Sequence, residues 1–181
     1  MSYPIHILNS APEASQPTLA QLQKTFGLIP NVAGTMANSP ELLKGFWGLF
    51  QQVHSGTFTE AEIQTLLLTN AVTNACSWAV AFHTMLALKE GLTPADVEAI
   101  RTRGLPADAH LAALSHLARS LIETRGHVAA QDLTGFAAAG FTQAQSLEIL
   151  AVVAASTITN YAGTLTQPPL EDFLQPYAWR A

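Results

Sequence analysis

The sequence predicts an all-α fold, and three observations support that prediction. The sequence signature of a helix start recurs along the chain. It consists of a capping residue with a hydroxyl or carboxylate side chain, followed by a proline or an acidic residue in the first helical turn. Glycines follow the apolar stretches at the points where helices would end. Apolar residues recur every three or four positions, and no stretch alternates apolar and polar residues as a strand would. We therefore expect about eight helices joined by short loops.

Helical spacing and local stop signals place the first three helices. Residues 1–17 contain three prolines and predict an extended arm, followed by a helix over residues 18–26 and a short helix after it. Ser39 then caps a stronger start, with a proline and a glutamate directly behind it. That helix runs to about His54. Because the last turn of a helix favours positive charge, we interpret His54 as a C-terminal cap rather than a catalytic residue.

The stretch of residues 58–92 predicts a helix hairpin around which the rest of the chain is organised. Thr59 and Glu62 form a capping box, in which each side chain satisfies a free backbone N–H at the helix start. Gly91 supplies the left-handed residue that commonly ends a helix. A junction just before Cys76 divides the stretch into two helices, and Cys76 opens the second.

Four more helices are predicted after the hairpin, followed by an irregular arm over residues 164–181 that contains three prolines. Each starts at a capping residue or ends at a glycine, and the last starts at a second capping box. These helices lie at about residues 93–104, 108–125, 130–139 and 142–161.

The chain is expected to form a single domain over residues 1–181, which is long enough to bury a substantial core. One internal repeat is visible. The segment that begins at Phe58 matches the segment that begins at Phe141, at a shift of 83 residues. The match covers a cap and the helix behind it, and it leaves open an internal duplication of a helical unit.

The composition indicates a protein that assembles with copies of itself. Charged residues make up 12% of the chain, against about 25% in an average soluble domain, and hydrophobic residues make up 49%. So few charges would coat the surface of a monomer poorly. We therefore expect a homo-oligomer, a dimer, trimer or hexamer, in which apolar helix faces meet.

Charge and hydropathy argue against several functional classes. A formal net charge of −5 and the lack of a basic cluster argue against a nucleic-acid partner. The N-terminal residues lack the positive start of a secretion signal, and no run of about 18 apolar residues suggests a membrane span. A single cysteine cannot form an internal disulfide. The protein is therefore predicted to be soluble and cytoplasmic.

Cys76 is the first candidate functional residue. At the start of a helix its thiol would face the positive end of the helix dipole, which favours the thiolate and lowers the thiol pKa. The alternative is that Cys76 is a small buried hydrophobe, as most free cysteines are. His83 follows seven residues later on the same helix.

The central stretch resembles the carboxymuconolactone decarboxylase and alkylhydroperoxidase D (AhpD) superfamily, in particular its peroxidase-related branch. The similarity includes GLIPNVAGTMANSPELLKGFWGLF before the hairpin and MLALKEGL at its end, and it is best over residues 27–92. It implies an all-α, AhpD-like bundle that assembles as a homo-oligomer. It also implies a motif of Glu, eleven residues, Cys, two residues, Cys, three residues and His. In the peroxidase members the cysteine pair cycles between dithiol and disulfide without a metal or an organic cofactor.

Two of the four motif positions are substituted in this sequence. Cys76 and His83 stand at the first cysteine and the histidine, whereas Ala79 replaces the second cysteine and Gln64 replaces the glutamate. His83 is one helical turn from Ala79 but about 10.5 Å along the helix from Cys76. The position best placed for activation by the histidine is thus the one that holds Ala79. A two-cysteine cycle within one chain is excluded, and an oxidised Cys76 would need an external thiol reductant.

The same substitutions indicate a different use of His83. Ala79 is expected to enlarge and dry the space beside His83, next to Trp78 and Phe82. Desolvation would keep the imidazole neutral and able to act as a base, although Gln64 leaves it without the expected carboxylate partner. The alternative for His83 is a buried histidine bonded to a backbone carbonyl.

Three functional hypotheses follow from these residues. The first is a single-cysteine, thiol-dependent hydroperoxide reductase that uses Cys76 and an external reductant. The second is a cofactor-free enzyme, like carboxymuconolactone decarboxylase, that acts on a small organic acid with His83 as acid or base. The third is a non-catalytic oligomeric scaffold that has lost the motif. None of the three requires a metal ion.

Overall fold

The structure, a computed structural model that describes residues 2–180, is helical throughout. Within that range the chain forms nine α-helices and no strand, so the predicted all-α class is confirmed. Eight of the helices have eight or more residues, in agreement with the expected number. Their bounds are Gln16–Phe26 for α1, Asn31–Met36 for α2, Pro40–Val53 for α3, Glu60–Thr73 for α4, Ser77–Lys89 for α5, Pro94–Arg101 for α6, Ala109–Glu123 for α7, Ala130–Ala138 for α8 and Gln143–Thr166 for α9.

The predicted helix starts are formed by the predicted caps. The side chains of five N-cap residues accept backbone N–H groups in the first turn of α3, α4, α6, α7 and α9. Both capping boxes form, at the starts of α4 and α9. The capping residues are Ser39, Thr59, Thr93, Asp108 and Thr142.

The two terminal arms are shorter and more ordered than predicted. The first contains two 3₁₀ turns, and α1 already begins at Gln16. The second loses residues 164–166 to α9, which continues beyond the predicted end at Tyr161. The helix ends where Gln167 adopts a left-handed conformation, with φ of 46°, immediately before the first proline of the tail. The tail then forms a 3₁₀ helix over Asp172–Tyr177.

The α4–α5 hairpin lies at the centre of the fold. All ten residues from Ile63 to Val72 are buried, because α5, α7 and α9 pack against different sides of α4. Three consecutive leucines in α4 belong to both hydrophobic clusters. Leu68 belongs to the cluster that contains residues of α1, α3 and α5, whereas Leu66 and Leu67 belong to the cluster that contains residues of α7 and α9. A helix that is apolar on all sides must be surrounded by other elements. The hairpin therefore holds its side chains in a rigid environment.

The two segments matched in the internal repeat lie side by side. The rings of Phe58 and Phe141 are 6.1 Å apart at the starts of α4 and α9. Asn70 donates a hydrogen bond of 3.1 Å to the backbone oxygen of Val153, which is also 83 residues away. Equivalent positions of the two segments thus contact each other, and the internal duplication stays a prediction.

The long helix α9 combines core packing with an exposed apolar face. By length and composition it could cross a membrane, with a mean hydropathy of 1.3 over an 18-residue window of which 33% is buried. It packs against α2, α3, α4 and α5, as a core helix of a globular fold does. Four exposed large side chains share its opposite face, namely Leu147, Leu150, Tyr161 and Leu165.

The close approach of α9 to α5 is tested by adding one methyl group. A Cβ at Gly163 would lie 2.9 Å from Sγ of Cys76, so Gly163→Ala should lower the free energy of unfolding, because overpacking costs about 1–3 kcal/mol. The control is Gly48→Ala, an exposed site in α3 with nothing within 4 Å, where alanine should stabilise by about 0.5–1 kcal/mol. Urea unfolding measures both changes. The loss at Gly163 should be recovered when Cys76→Ala is added, and a stable single variant would contradict this packing.

Candidate active site

A hydrogen bond between His83 and Gln64 joins the two helices of the hairpin. Nδ1 of His83 in α5 lies 3.0 Å from Oε1 of Gln64 in α4, and both side chains are buried. An amide oxygen can only accept a hydrogen bond, so Nδ1 carries the proton and donates it. Nε2 of the neutral ring then keeps its lone pair. It makes no hydrogen bond to another group in residues 2–180.

Burial keeps the His83 imidazole neutral. Desolvation lowers the pKa of His83 to about 3, and the positive charge of the nearby His54 acts in the same direction. The predicted neutral state is therefore supported. The partner of His83 was predicted wrongly, because Gln64 provides the orienting bond in place of both a carboxylate and a backbone carbonyl.

His83 lies on the wall of a cavity of about 470 Å³ between α1, α3, α4 and α5. This volume is in the range of small-molecule sites, and the combination of apolar walls with a few polar groups is typical of them. The apolar lining includes Phe26, Trp47, Phe50, Leu67, Phe82 and Leu86. The polar lining includes Gln51, His54, Glu60, Gln64, Lys89 and Glu90.

The predicted pocket residues Trp78 and Phe82 form an aromatic stack beside His83. Their ring centroids are 5.0 Å apart with nearly parallel planes, and Phe82 meets the imidazole edge-on at 5.5 Å. Phe82 lines the large cavity, whereas Trp78 lines a smaller cavity of about 40 Å³ that His83 also borders. A space of that size is large enough for a water molecule. Phe82 thus contacts the His83 ring, Trp78 stacks behind Phe82, and the role of both as pocket residues stays a prediction.

Cys76 does not line either of the cavities that His83 borders. It is 2% exposed at the N-cap of α5 and borders a separate cavity of about 320 Å³, with Gly163 and Thr164 of α9 on the other side. Burial raises the pKa of the Cys76 thiol, although hydrogen bonds from the Ala79 N–H, the Thr164 hydroxyl and the Trp78 N–H act in the opposite direction. The expected lowering of the thiol pKa is therefore wrong.

Ala79 lies one helical turn before His83 in α5 and is completely buried in the core cluster. It lines neither of the two cavities that His83 borders. The cavity walls around His83 are formed by other residues, chiefly the aromatic side chains of α3 and α5. The expected effect of Ala79 on the space beside His83 stays a prediction.

Sequence reasoning missed His54 as a member of this site. His54 is the C-cap residue of α3, as predicted, but its imidazole turns to the start of α4. Nδ1 of His54 lies 2.9 and 3.1 Å from the two carboxylate oxygens of Glu60, and its ring contacts Phe50 at 4.3 Å. No local pattern signals this pair, because the loop between α3 and α4 brings the two residues together.

The described residues offer no candidate metal centre. In the range from Ser2 to Arg180, no three side chains of histidine, cysteine, aspartate or glutamate converge as ligands of one ion. The groups available for chemistry in the cavity are therefore imidazole, carboxylate, amide and ammonium side chains.

Comparison with known proteins identifies the central segment. Residues 40–123 match the model of the carboxymuconolactone decarboxylase family, which confirms the resemblance noted in the sequence. No protein of curated function matches the chain.

Solved structures with low identity share the fold over nearly the whole chain. An uncharacterised peroxidase-related protein from Ralstonia eutropha JMP134, described as an alkylhydroperoxidase AhpD core, superposes with a TM-score of 0.83 at 19% identity, covering 95% of this chain and 93% of that one. An uncharacterised peroxidase-related protein from Silicibacter sp. TM1040 superposes with a TM-score of 0.79 at 18% identity, covering 96% of this chain and 92% of that one. The debrominase Bmp8 superposes with a TM-score of 0.76 at 16% identity, covering 98% of this chain and 95% of that one. Its structure is that of a cysteine-to-alanine variant in complex with 2,3,4-tribromopyrrole. At these identities the likeness establishes the AhpD-like fold alone.

The buried neutral state of His83 predicts a characteristic loss of stability in acid. Its pKa is about 3 in the folded protein against 6.5 for a free imidazole, so it stabilises the fold above pH 6.5 and this contribution is lost as the pH falls towards 3. His83→Asn keeps a donor for Gln64 and removes the ionisation. Between pH 6.5 and 3 the unfolding free energy of His83→Asn should therefore fall less steeply than that of the native protein, by about 1.4 kcal/mol per pH unit.

Urea unfolding at a series of pH values measures this slope. The control is His127→Asn, which removes an exposed imidazole in the loop before α8. If the native protein and His83→Asn lost stability in parallel between pH 6.5 and 3, then His83 would not be held neutral.

The raised pKa of Cys76 predicts slow alkylation. Iodoacetamide reacts with the thiolate, so the modification of Cys76 should reach half its maximal rate at a higher pH in the folded protein than in the protein unfolded by urea. Mass spectrometry against pH measures the rate. Thr164→Val removes a hydrogen bond that lowers the pKa and should move the midpoint further up. If the pH of half-maximal alkylation were lower in the folded protein than in the unfolded protein, the thiol pKa would be lowered, as the helix dipole predicts, and not raised.

Proposed function

We propose that the protein is a cofactor-free enzyme that uses His83 as a general base on a small organic acid, and the match of residues 40–123 to the model of the carboxymuconolactone decarboxylase family supports this proposal. One observation carries the proposal. The imidazole of His83 is buried and neutral, its Nδ1 is anchored by Gln64, and its Nε2 is unbonded at the wall of a cavity of about 470 Å³. A fixed tautomer with a free lone pair is what a general base requires.

The low pKa of His83 supports an anionic substrate. A base with a pKa near 3 binds protons weakly, and an efficient general base needs a pKa closer to the working pH. A carboxylate within a few ångströms of an imidazole favours its charged form and raises its pKa. A bound organic acid would supply that negative charge, because the side chain next to His83 is the neutral amide of Gln64.

The lining of the cavity favours a small, flat and largely apolar molecule. Aromatic rings from α1, α3 and α5 form most of its apolar wall, and Lys89 is a cationic group near an acidic substrate. The debrominase of the same fold was solved with 2,3,4-tribromopyrrole, which is a small planar ring. We infer that the substrate here is a planar or unsaturated carboxylic acid.

A second candidate is the single-cysteine hydroperoxide reductase. In its favour, Cys76 borders a cavity of about 320 Å³, and the Ala79 N–H, the Thr164 hydroxyl and the Trp78 N–H act to lower the pKa of its thiol. The thiol would reduce a hydroperoxide to an alcohol and become a sulfenic acid, which two equivalents of an external thiol would return to the thiol with release of water. We place this activity second, because burial raises the pKa of Cys76 and because no second cysteine follows it. The peroxidase-related names belong to structures that share only the fold.

We also propose that the protein is a cytoplasmic homo-oligomer. The exposed apolar face of α9 supports this assembly, because the four large side chains from Leu147 to Leu165 would otherwise remain in water. Neither nucleic acid nor membrane is proposed as a partner. If neither candidate activity is found, an oligomeric scaffold without catalysis remains the third proposal.

Substitution of His83 and Cys76 distinguishes the two activities. Native protein, His83→Asn and Cys76→Ser are assayed against small unsaturated and lactone carboxylic acids, including carboxymuconolactone, by ultraviolet absorbance and release of carbon dioxide. We expect turnover of an acid that falls by about 10²–10⁴-fold in His83→Asn, as loss of a general base does, and that persists in Cys76→Ser. Cumene hydroperoxide with dithiothreitol is assayed in parallel. Peroxide reduction that persists in His83→Asn and disappears in Cys76→Ser would favour the second candidate instead.

A further inference from the structure

Two histidines border the large cavity, and α4 anchors both in the same way. Nδ1 of His83 donates to Gln64, and Nδ1 of His54 donates to Glu60. Glu60 and Gln64 are four residues apart on α4, so they lie one above the other on the same face of the helix. One face of α4 thus holds two imidazoles, one from the end of α3 and one from α5, by the same ring nitrogen.

The other ring nitrogen of His54 is unused. Nε2 of His54 is buried and has no hydrogen-bond partner in the described part of the chain. A buried polar atom without a partner costs about 1–3 kcal/mol, and unsatisfied groups in native proteins often have a catalytic or ligand-binding role. The cap of α3 requires only the backbone of this residue, so capping does not explain the position of the ring.

Glu60 and Gln64, which bind the two histidines, differ in charge. This difference assigns different roles to His54 and His83. The carboxylate of Glu60 forms an ion pair with His54 at 2.9 Å whenever that imidazole is protonated. The amide of Gln64 provides no charge for His83. Lys89 and Glu90 are the other charged groups of the lining and lie at the opposite end of α5 from Cys76. Paired titratable groups in contrasting environments are the usual arrangement of an acid and a base in one site.

We propose that His54, oriented by Glu60, is the general acid of this site and acts together with the base His83. The inference rests on the proposed function, and it assigns a second catalytic residue to the same cavity. It further limits the reaction to one in which the substrate loses one proton and gains another.

The proton exchange balances without a further reactant. Nε2 of His83 takes a proton from a carbon next to a carbonyl or carboxyl group of the substrate, and the electron pair of that C–H bond enters the C=C bond of an enolate. Nε2–H of His54 gives a proton to the enolate oxygen or to a more distant carbon. Water then returns a proton from His83 to His54, so that no oxidant or reductant is consumed.

Two benzisoxazole-6-carboxylates, one with a 5-nitro group and one otherwise unsubstituted, test the acid separately from the base. Their carboxylate supplies the negative charge that raises the pKa of His83. A base opens either ring: it removes the ring C–H proton, the electron pair forms a nitrile, and the N–O bond breaks to release a phenolate. The 5-nitro compound releases a weakly basic phenolate that needs no proton donor. The unsubstituted compound releases a more basic phenolate, whose departure a general acid assists.

The change in the ratio of the two rates is the measured quantity. His54→Asn keeps a donor for Glu60 and removes Nε2, and it should slow the unsubstituted probe at least about tenfold more than the 5-nitro probe. Glu60→Gln should change the ratio in the same direction by less. The matched control is His110→Gln, which removes another histidine–glutamate pair, between His110 and Glu62 at 2.7 Å, outside the lining of this cavity. Both probes should react with it at the native rate.

Each result has a definite consequence. Equal slowing of both probes in His54→Asn overturns the role of His54 but leaves His83 as the base. If His54→Asn does not fold, as judged by circular dichroism, the ratio for Glu60→Gln decides the question, and an unchanged ratio overturns the proposal. If the native protein opens neither probe, or if His83→Asn is as fast as the native protein, both the proposed function and this inference fail.

Discussion

The hydrogen bond from His83 to Gln64 is the interaction on which the candidate site depends. It joins the two central helices through two buried side chains, so the loss of either partner leaves a largely buried polar group without its hydrogen bond. The surrounding core fixes both side chains, because α4 is packed on all sides by α5, α7 and α9. The same burial that demands the bond also removes the positive charge from the imidazole. Position, tautomer and protonation state of His83 thus have one common cause.

Packing also explains why the thiol is a poor candidate for catalysis. Cys76 has the position that would activate a cysteine, at the N-cap of a helix, where the N–H groups of Ala79 and Trp78 act to lower the thiol pKa. The closely packed α9 opposes that activation, since Gly163 allows its backbone to approach to the distance at which a methyl group would collide with Sγ. Desolvation by this contact outweighs the favourable hydrogen bonds, and the pKa rises. The helix dipole has less influence than the loss of water.

Local features of the sequence predicted the fold well and the site only in part. Caps such as Thr59 and Thr142 act within one helical turn, so the helix starts and the all-α class could be predicted from neighbouring residues alone. The pKa of Cys76 could not, because the helix that buries it is about 90 residues away in the sequence. His54 was interpreted correctly as a cap, but its pairing with Glu60 depends on the path of a loop. Gln64 was recognised as a substituted position, whereas its role as the partner of His83 required the structure.

The two substituted motif positions have a common physical consequence. A glutamate at position 64 would place a negative charge against His83 and favour the imidazolium, which suits a histidine that passes protons to and from a cysteine pair. With Gln64 the imidazole has no charged partner on its Nδ1 side, and with Ala79 no thiol stands one turn before it. A neutral imidazole without a thiol has no redox partner, but it retains a lone pair at the wall of a cavity that has both apolar and polar lining. In the proposed function, the negative charge that would make this lone pair an effective base is carried by the organic acid, because the group bonded to Nδ1 is a neutral amide. Binding of such a substrate would therefore itself activate the base, which links the substrate class to the amide at position 64.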